Sequence, residues 1–279
     1  AYQFEWASYP SETDPVDWTA LANPAVSAFM AGSPAVDPAP DPKPEVPSHQ
    51  PGALDAQAYN ALFNAIAASY EGTSEEWKAL DLAAIGKASA VDVATLAKNA
   101  KGSLSDHGTT NLQRFILALT AVGATDEASE LIEAMASSPT ATSMLNGQVF
   151  ALLAYESSAR PVPASAAKTQ QELIDAILGA QLSSGGWNWT GSSADPSDPD
   201  LTAMVLAALA SRVSQDATVK ASVDRALESL RGMQYEDGGF RAYGETAADP
   251  ANVGSTSSVI IALCALGIDP AASWATENG

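Results

Sequence analysis

The sequence predicts an all-α chain built of helical hairpins, with an inner row of strongly apolar helices and an outer row of amphipathic ones. Three observations carry this reading. From Ala53 onward Ala, Leu, Glu and Lys dominate, apolar residues recur three and four apart, and Gly or Pro separates the segments. No segment sustains the strict alternation of a half-buried strand. A helical segment also recurs: LDLAAIG ending at Gly86, LALTAVG ending at Gly123 and IALCALG ending at Gly267 align on the central leucines Leu82, Leu119 and Leu263.

The elements follow in chain order. Residues 1–31 carry Trp6 and Trp18 among other apolar residues, too much for a plain linker, and read as an arm along the main domain or the end of a preceding one. Ten of the 17 prolines fall within the first 51 residues, so residues 32–52 read as a Pro-rich spacer that forms neither helix nor central strand. The main domain then runs over 53–279. Its periodicity predicts helices near 53–70, 75–86, 91–100, 110–122, 125–136, 143–156, 168–182, 200–213, 217–233 and 255–267. Two further apolar helices, containing Leu153 and Leu209, extend the leucine series, whose steps are 37, 34, 56 and 54 residues. These five helices are apolar nearly all round, as an inner row requires, while VDVATLAKNAK and SVDRALESLRGMQ are amphipathic and suit an outer row. Such rows stack as an open solenoid or close into a ring, and a ring of about six hairpins would need one more inner helix beyond Gly279.

Composition removes several functions. Thirteen Lys plus Arg against 33 Asp plus Glu leave a net charge of −20, which repels phosphate backbones and anionic membrane surfaces. No apolar run is long enough to span a bilayer. A single cysteine, Cys264, excludes an internal disulfide framework and a thiolate zinc site, and it reads as a small core thiol. Two isolated histidines, His49 and His107, leave little for a metal site or a Ser-His-Asp triad, and no glycine-rich phosphate loop is present.

A second repeat precedes two of the inner helices. Gln181-Leu-Ser-Ser-Gly185-Gly186-Trp187 and Gln234-Tyr-Glu-Asp-Gly238-Gly239-Phe240 share Q-x-x-x-G-x-aromatic, 53 residues apart. The Gln can satisfy backbone groups left open at a helix end, the glycines permit a tight left-handed turn, and the aromatic inserts between hairpins. Packing is therefore the first role for Trp187 and Phe240. Trp189 and Tyr243, a few residues further on, are freer to line a binding surface, and all four are candidate ligand contacts.

This pattern resembles the QW repeat of the terpene-cyclase and protein-prenyltransferase superfamily, whose members are α/α toroids. The resemblance covers about residues 53–279, most strongly 170–270. Within that superfamily the chain is most similar in character to the toroids of transcobalamin and intrinsic factor and to toroids of bacterial cell-surface proteins. It implies an α/α toroid, a secreted or surface location, membership of a larger multidomain protein, and a corrinoid such as cobalamin as ligand. Transcobalamin-like proteins hold that ligand between the toroid and a second, all-β domain, which this chain does not show.

The same resemblance raises a catalytic reading. Class II terpene cyclases use D-x-D-D-T-A, and the matching string here is Asp198-Pro199-Asp200-Leu201-Thr202-Ala203. It implies Asp200 as proton donor and Asp198 as its support, but Leu201 replaces the last carboxylate. Two other readings stay open for these acids. Asp200 can be an N-cap, with Asp195 and Asp198 as solvated loop acids. Alternatively Asp195, Asp198 and Asp200 form an oxygen-rich calcium site. No zinc-binding Asp-x-Cys pair and no Cys-Gly-Glu-Gln thioester motif occurs, and Glu76, Glu236 and Asp237 do not specify a hydrolytic pair. The expectation is a non-catalytic binding or scaffold module whose ligand is a small molecule or surface partner, with a cyclase-like enzyme as the alternative.

Overall fold

The computed structural model describes residues 56–105, 110–158 and 160–276. The expected arm and spacer, and both histidines, lie outside these residues. Eleven α-helices and no strand are found among the described residues: α1 (Ala56–Ser69), α2 (Glu76–Ala84), α3 (Val93–Gly102), α4 (Asn111–Ala121), α5 (Thr125–Ser137), α6 (Leu145–Ser158), α7 (Gln170–Gly179), α8 (Pro199–Leu209), α9 (Ala217–Met233), α10 (Val253–Ala265) and α11 (Pro270–Ser273). All ten helices read from periodicity are present, with ends that differ by a few residues. The four-residue α11 is additional, as are short 3₁₀ turns such as Ala88–Ala90. None of these helices is long and apolar enough to cross a membrane.

The chain divides into two compact units, with the change at Gly179 and Ala180. In the N-terminal unit α4 is central: it packs against α2 and α6, and also against α3 and α5, while α6 also packs on α7. Helices α2, α4 and α6 thus follow one another in one row and α3 and α5 lie in the other. In the C-terminal unit α8 packs along α10 and against α9. Within each unit, then, alternate helices pack on one another, as two rows of hairpins demand.

Repeated leucines explain the repeated helix ends. The amide of Lys87 donates to Leu82 O at 2.7 Å, that of Ala124 to Leu119 O at 2.8 Å, and that of Ile268 to Leu263 O at 2.9 Å. These are the long bonds of Schellman closures, which need a left-handed residue, supplied by Gly86, Gly123 and Gly267 at φ 74°, 83° and 72°. All three leucines are buried. The other two helices of the series end differently, α8 running on into a 3₁₀ turn. Nor is every inner helix apolar all round: α6 buries eight of its 14 residues, but α2 buries only Ala79, Leu82 and Ala83 and carries Glu76, Lys78 and Asp81.

Two of the amphipathic helices, α3 and α9, have starts fixed by side-chain caps. Asp92 accepts from the amide of Thr95, and Asp216 from those of Thr218 and Val219, occupying amides that no helical carbonyl can reach. In the N-terminal unit Trp77 meets Phe150 edge-on at 6.2 Å, with the Arg114 guanidinium 5.7 Å from its ring and 3.2 Å from Glu76.

Candidate functional site

The C-terminal unit builds its loops twice from one plan. Gln181 Nε2 donates to Gly185 O at 2.6 Å and to Ser222 O of α9 at 2.8 Å. Gln234 Nε2 donates to Gly238 O at 2.9 Å and to Trp274 O at 2.8 Å. Each glutamine therefore closes its own turn and latches it to a backbone carbonyl 41 or 40 residues further on. Between latch and aromatic the backbone repeats as well: Leu182 N to Gly186 O and Tyr235 N to Gly239 O, with Gly185 and Gly238 at φ 94° and 77°.

The aromatic of each copy is then tied to the next helix. The Trp187 amide donates to Thr202 Oγ1 at 3.0 Å, and the Phe240 amide to Thr256 Oγ1 at 3.1 Å. Their carbonyls accept from the amides of Asp198 and Asn252, at 2.7 and 2.8 Å. Asp198 and Asn252 are in turn the N-caps of α8 and α10, accepting from Leu201 N and Ser255 N. Trp187 and Phe240 are 0% and 2% exposed, buried as wedges beneath their loops. Gly186 is obligatory because a Cβ there would stand 2.7 Å from Thr202 Oγ1.

Beyond each wedge the loop is braced by the next side chain. Asn188, itself buried, donates to Ser192 O and Asp195 O and accepts from the Gly191 amide. Arg241, 7% exposed, donates to Asp249 O at 2.7 Å, pairs with Asp237 at 2.6 Å and stacks 4.5 Å from the Tyr235 ring. The braced loops hold large apolar side chains in solvent, Trp189 at 41% and Tyr243 at 57% exposure. A cleft of about 660 Å³ lies here, lined among others by Asp198, Gln234, Tyr235, Arg241, Tyr243 and Glu245. A second, of about 510 Å³, shares Pro196, Ser197, Gly232 and Met233 with it and continues past Arg225 and Glu228.

The acids take places that correct the capping expectation. The cap of α8 is Asp198, not Asp200, and Asp198 is 1% exposed rather than a solvated loop acid. Burial raises its pKa, against the opposing bond from the Leu201 amide. Its Oδ1 holds that amide at 2.9 Å, while Oδ2 is buried with no hydrogen-bond partner of normal geometry, although the Trp189 side chain favours the charged form. Asp200 sits in the first turn of α8, and burial pushes it up to about 6, opposed by the Ser255 hydroxyl and reinforced by the charges of Asp198 and Glu245. Asp195 instead accepts from Thr190 Oγ1 at 2.7 Å. Among the described residues no group of three or more acidic, histidine or cysteine side chains is placed to hold a metal ion, and Asp195, Asp198 and Asp200 do not form one.

Asp198 and Tyr243 therefore share the cleft, and Trp189 acts on Asp198. Asp195 and the two wedges stand apart from the cleft lining. Residues that sequence reasoning passed over are Thr202, Thr256, Asn188, Arg241 and Glu245. Fold and site together define a class: an all-helical hairpin-repeat protein whose latched, wedge-anchored loops open on a cleft. No protein-family model matches the chain, and no curated protein matches it in sequence.

Proposed function

We propose that the chain is a non-catalytic binding or scaffold module of a secreted bacterial surface protein, its hairpins arranged as an α/α toroid, and that it takes its ligand at the cleft beside Tyr243. The observation that carries this is the pair of braced loops. A loop whose backbone is held by a buried Asn188 or Arg241 presents its aromatic without a large ordering cost, which favours binding over mere exposure. The resemblance implies a corrinoid as the ligand. Titration calorimetry of cyanocobalamin into the whole chain, with calcium present and then chelated, tests it: binding that weakens in Tyr243→Ala supports the reading, and no heat in either condition removes the corrinoid.

A second reading has one observation in its favour. A carboxyl pushed up to about 6, as at Asp200, keeps its proton closer to neutrality than an ordinary aspartate, a property that a general acid requires. Turnover of a polyprenyl substrate that disappears in Asp200→Asn would support a cyclase-like enzyme. Turnover indifferent to that change would end the assignment.

A further inference from the structure

We infer that residues 18–31 dock on the outward face of α10 and cover it. This contact is separate from the cleft and needs no ligand. Helix α10 reads VGSTSSVIIALCA, 13 residues without a charge. Its inward residues Val259, Ala262, Leu263 and Ala265 are buried, and it packs along α8 and meets α11. Val253, Ile260 and Cys264 recur at helical spacing along one side, with Ile261 beside them. Val253 is 57% exposed and Ile261 40%, two of the five large apolar side chains left exposed among the described residues. Ile260 and Cys264 are half-buried. In the other unit α4 has an inner-row neighbour on either side, α2 and α6. For α10 that neighbour among the described residues is α8 alone. A repeat helix so placed needs a polar outer side or a cover, and α10 offers no charge to water.

Charge and reach select the occupant. The chain carries 33 Asp plus Glu, yet from Trp18 to Val36 there is no charged residue of either sign. Trp18, Leu21, Val26, Phe29 and Met30 lie within that stretch and supply apolar surface that an uncharged face can bury without desolvating an ion. The first described residue is Ala56, which leaves residues 32–55 as the tether. At ~3.1 Å per residue a Pro-rich chain of that length reaches about 70 Å, several times the radius of gyration of about 13 Å for a unit of roughly 100 residues. A tethered segment acts at an effective concentration in the millimolar range. A second copy would instead lose its translational freedom and bring one net charge of −20 against another.

Cys264 is the single cysteine of the chain and lies on this face, so its alkylation by the neutral reagent N-ethylmaleimide reads the cover directly. In the whole chain, Val26→Asp with Phe29→Asp should speed that reaction about tenfold, and Val253→Asp should do the same. The first two substitutions lie outside the described helices, and an acid in the first turn of α10 suits the helix dipole, so the fold is kept. Phe4→Asp, outside the docking segment, should leave the rate unchanged. Segment and face form one contact, so all three substitutions together should be no faster than either set alone. An unchanged rate in Val26→Asp with Phe29→Asp would overturn the inference, as would rates that multiply in the combination. Equal acceleration in Phe4→Asp would overturn it too, by showing a diffuse effect of charge. Faster reaction of the unaltered chain on about hundredfold dilution would make a second copy the cover instead.

Discussion

Replacing Asp81 by Asn should stabilise the protein at alkaline pH, and the gain should shrink as the solution is acidified. Asp81 sits in the last turn of α2, and burial alone pushes its carboxyl from 3.8 up to about 6. Its charge also stands at the negative end of the helix dipole, which repels it. The sign follows from proton binding. The folded chain holds this proton more tightly than the unfolded one, so the charged form is a cost of folding that is absent below the unfolded pKa and complete above the folded one. A rise of this size corresponds to about 3 kcal/mol at most, at ~1.4 kcal/mol per pKa unit. Asn removes the charge with little change in volume, so urea unfolding should show Asp81→Asn more stable by about 2–3 kcal/mol near pH 8 and by roughly half that near pH 5. Because both proteins carry the same remaining charge, the general effect of pH on an acidic chain cancels in the difference. A gain that is the same at both pH values, or a loss at pH 8, would refute the reasoning, since either would show that Asp81 is not held ionised against burial.

The other predictions concern the repeated loops. Gln234→Ala removes two bonds donated to backbone carbonyls and should cost about 2–3 kcal/mol by denaturant unfolding, with Gln181→Ala costing a similar amount. Gly185→Ala should cost about 2–4 kcal/mol, because φ is 94° and the new Cβ would meet Arg225 O at 2.5 Å; thermal unfolding reads it directly. Trp189→Ala removes the side chain that favours the charged form of the buried Asp198 and should cost about 1–2 kcal/mol by denaturant unfolding; no loss of stability would show that Asp198 does not depend on it.

The hairpins were legible because their signals are local. A Schellman closure needs a left-handed glycine and a carbonyl four residues before it, so L-x-x-x-G records both partners in five letters. The weaker match of α2 to an inner helix has a local reason too: Glu76 and Lys78 are engaged at its surface, Glu76 with Arg114 and Lys78 with Glu75, and the all-apolar reading weighed its leucines over its charges. The latch glutamines were legible as turn closers, whereas their second bonds were not. Ser222 and Trp274 share no chemistry, and each offers only a backbone carbonyl, which every residue has.

The displacement of the α8 cap from Asp200 to Asp198 was, by contrast, written in the sequence. In Asp198-Pro199-Asp200, proline belongs at the first helical position, where its fixed φ suits the helix and its missing amide is not needed. That places the cap before it, and the partner copy confirms the register: Asn252 caps α10, 54 residues after Asp198, just as Thr256 follows Thr202 by 54. Read as a column, Gln, two glycines, aromatic, Asp or Asn, and Thr form one hydrogen-bonded unit. A threonine inside an Ala- and Leu-rich helix looks like filler until the two copies are aligned. The braces resist even that alignment, because Asn188 and Arg241 do one job with unrelated side chains. What varies between copies beyond the wedge is thus the brace and the exposed aromatic, and the conserved unit beneath them holds each pair in place. A scaffold repeated this closely, carrying loops that differ this much, concentrates its chemical individuality at the cleft.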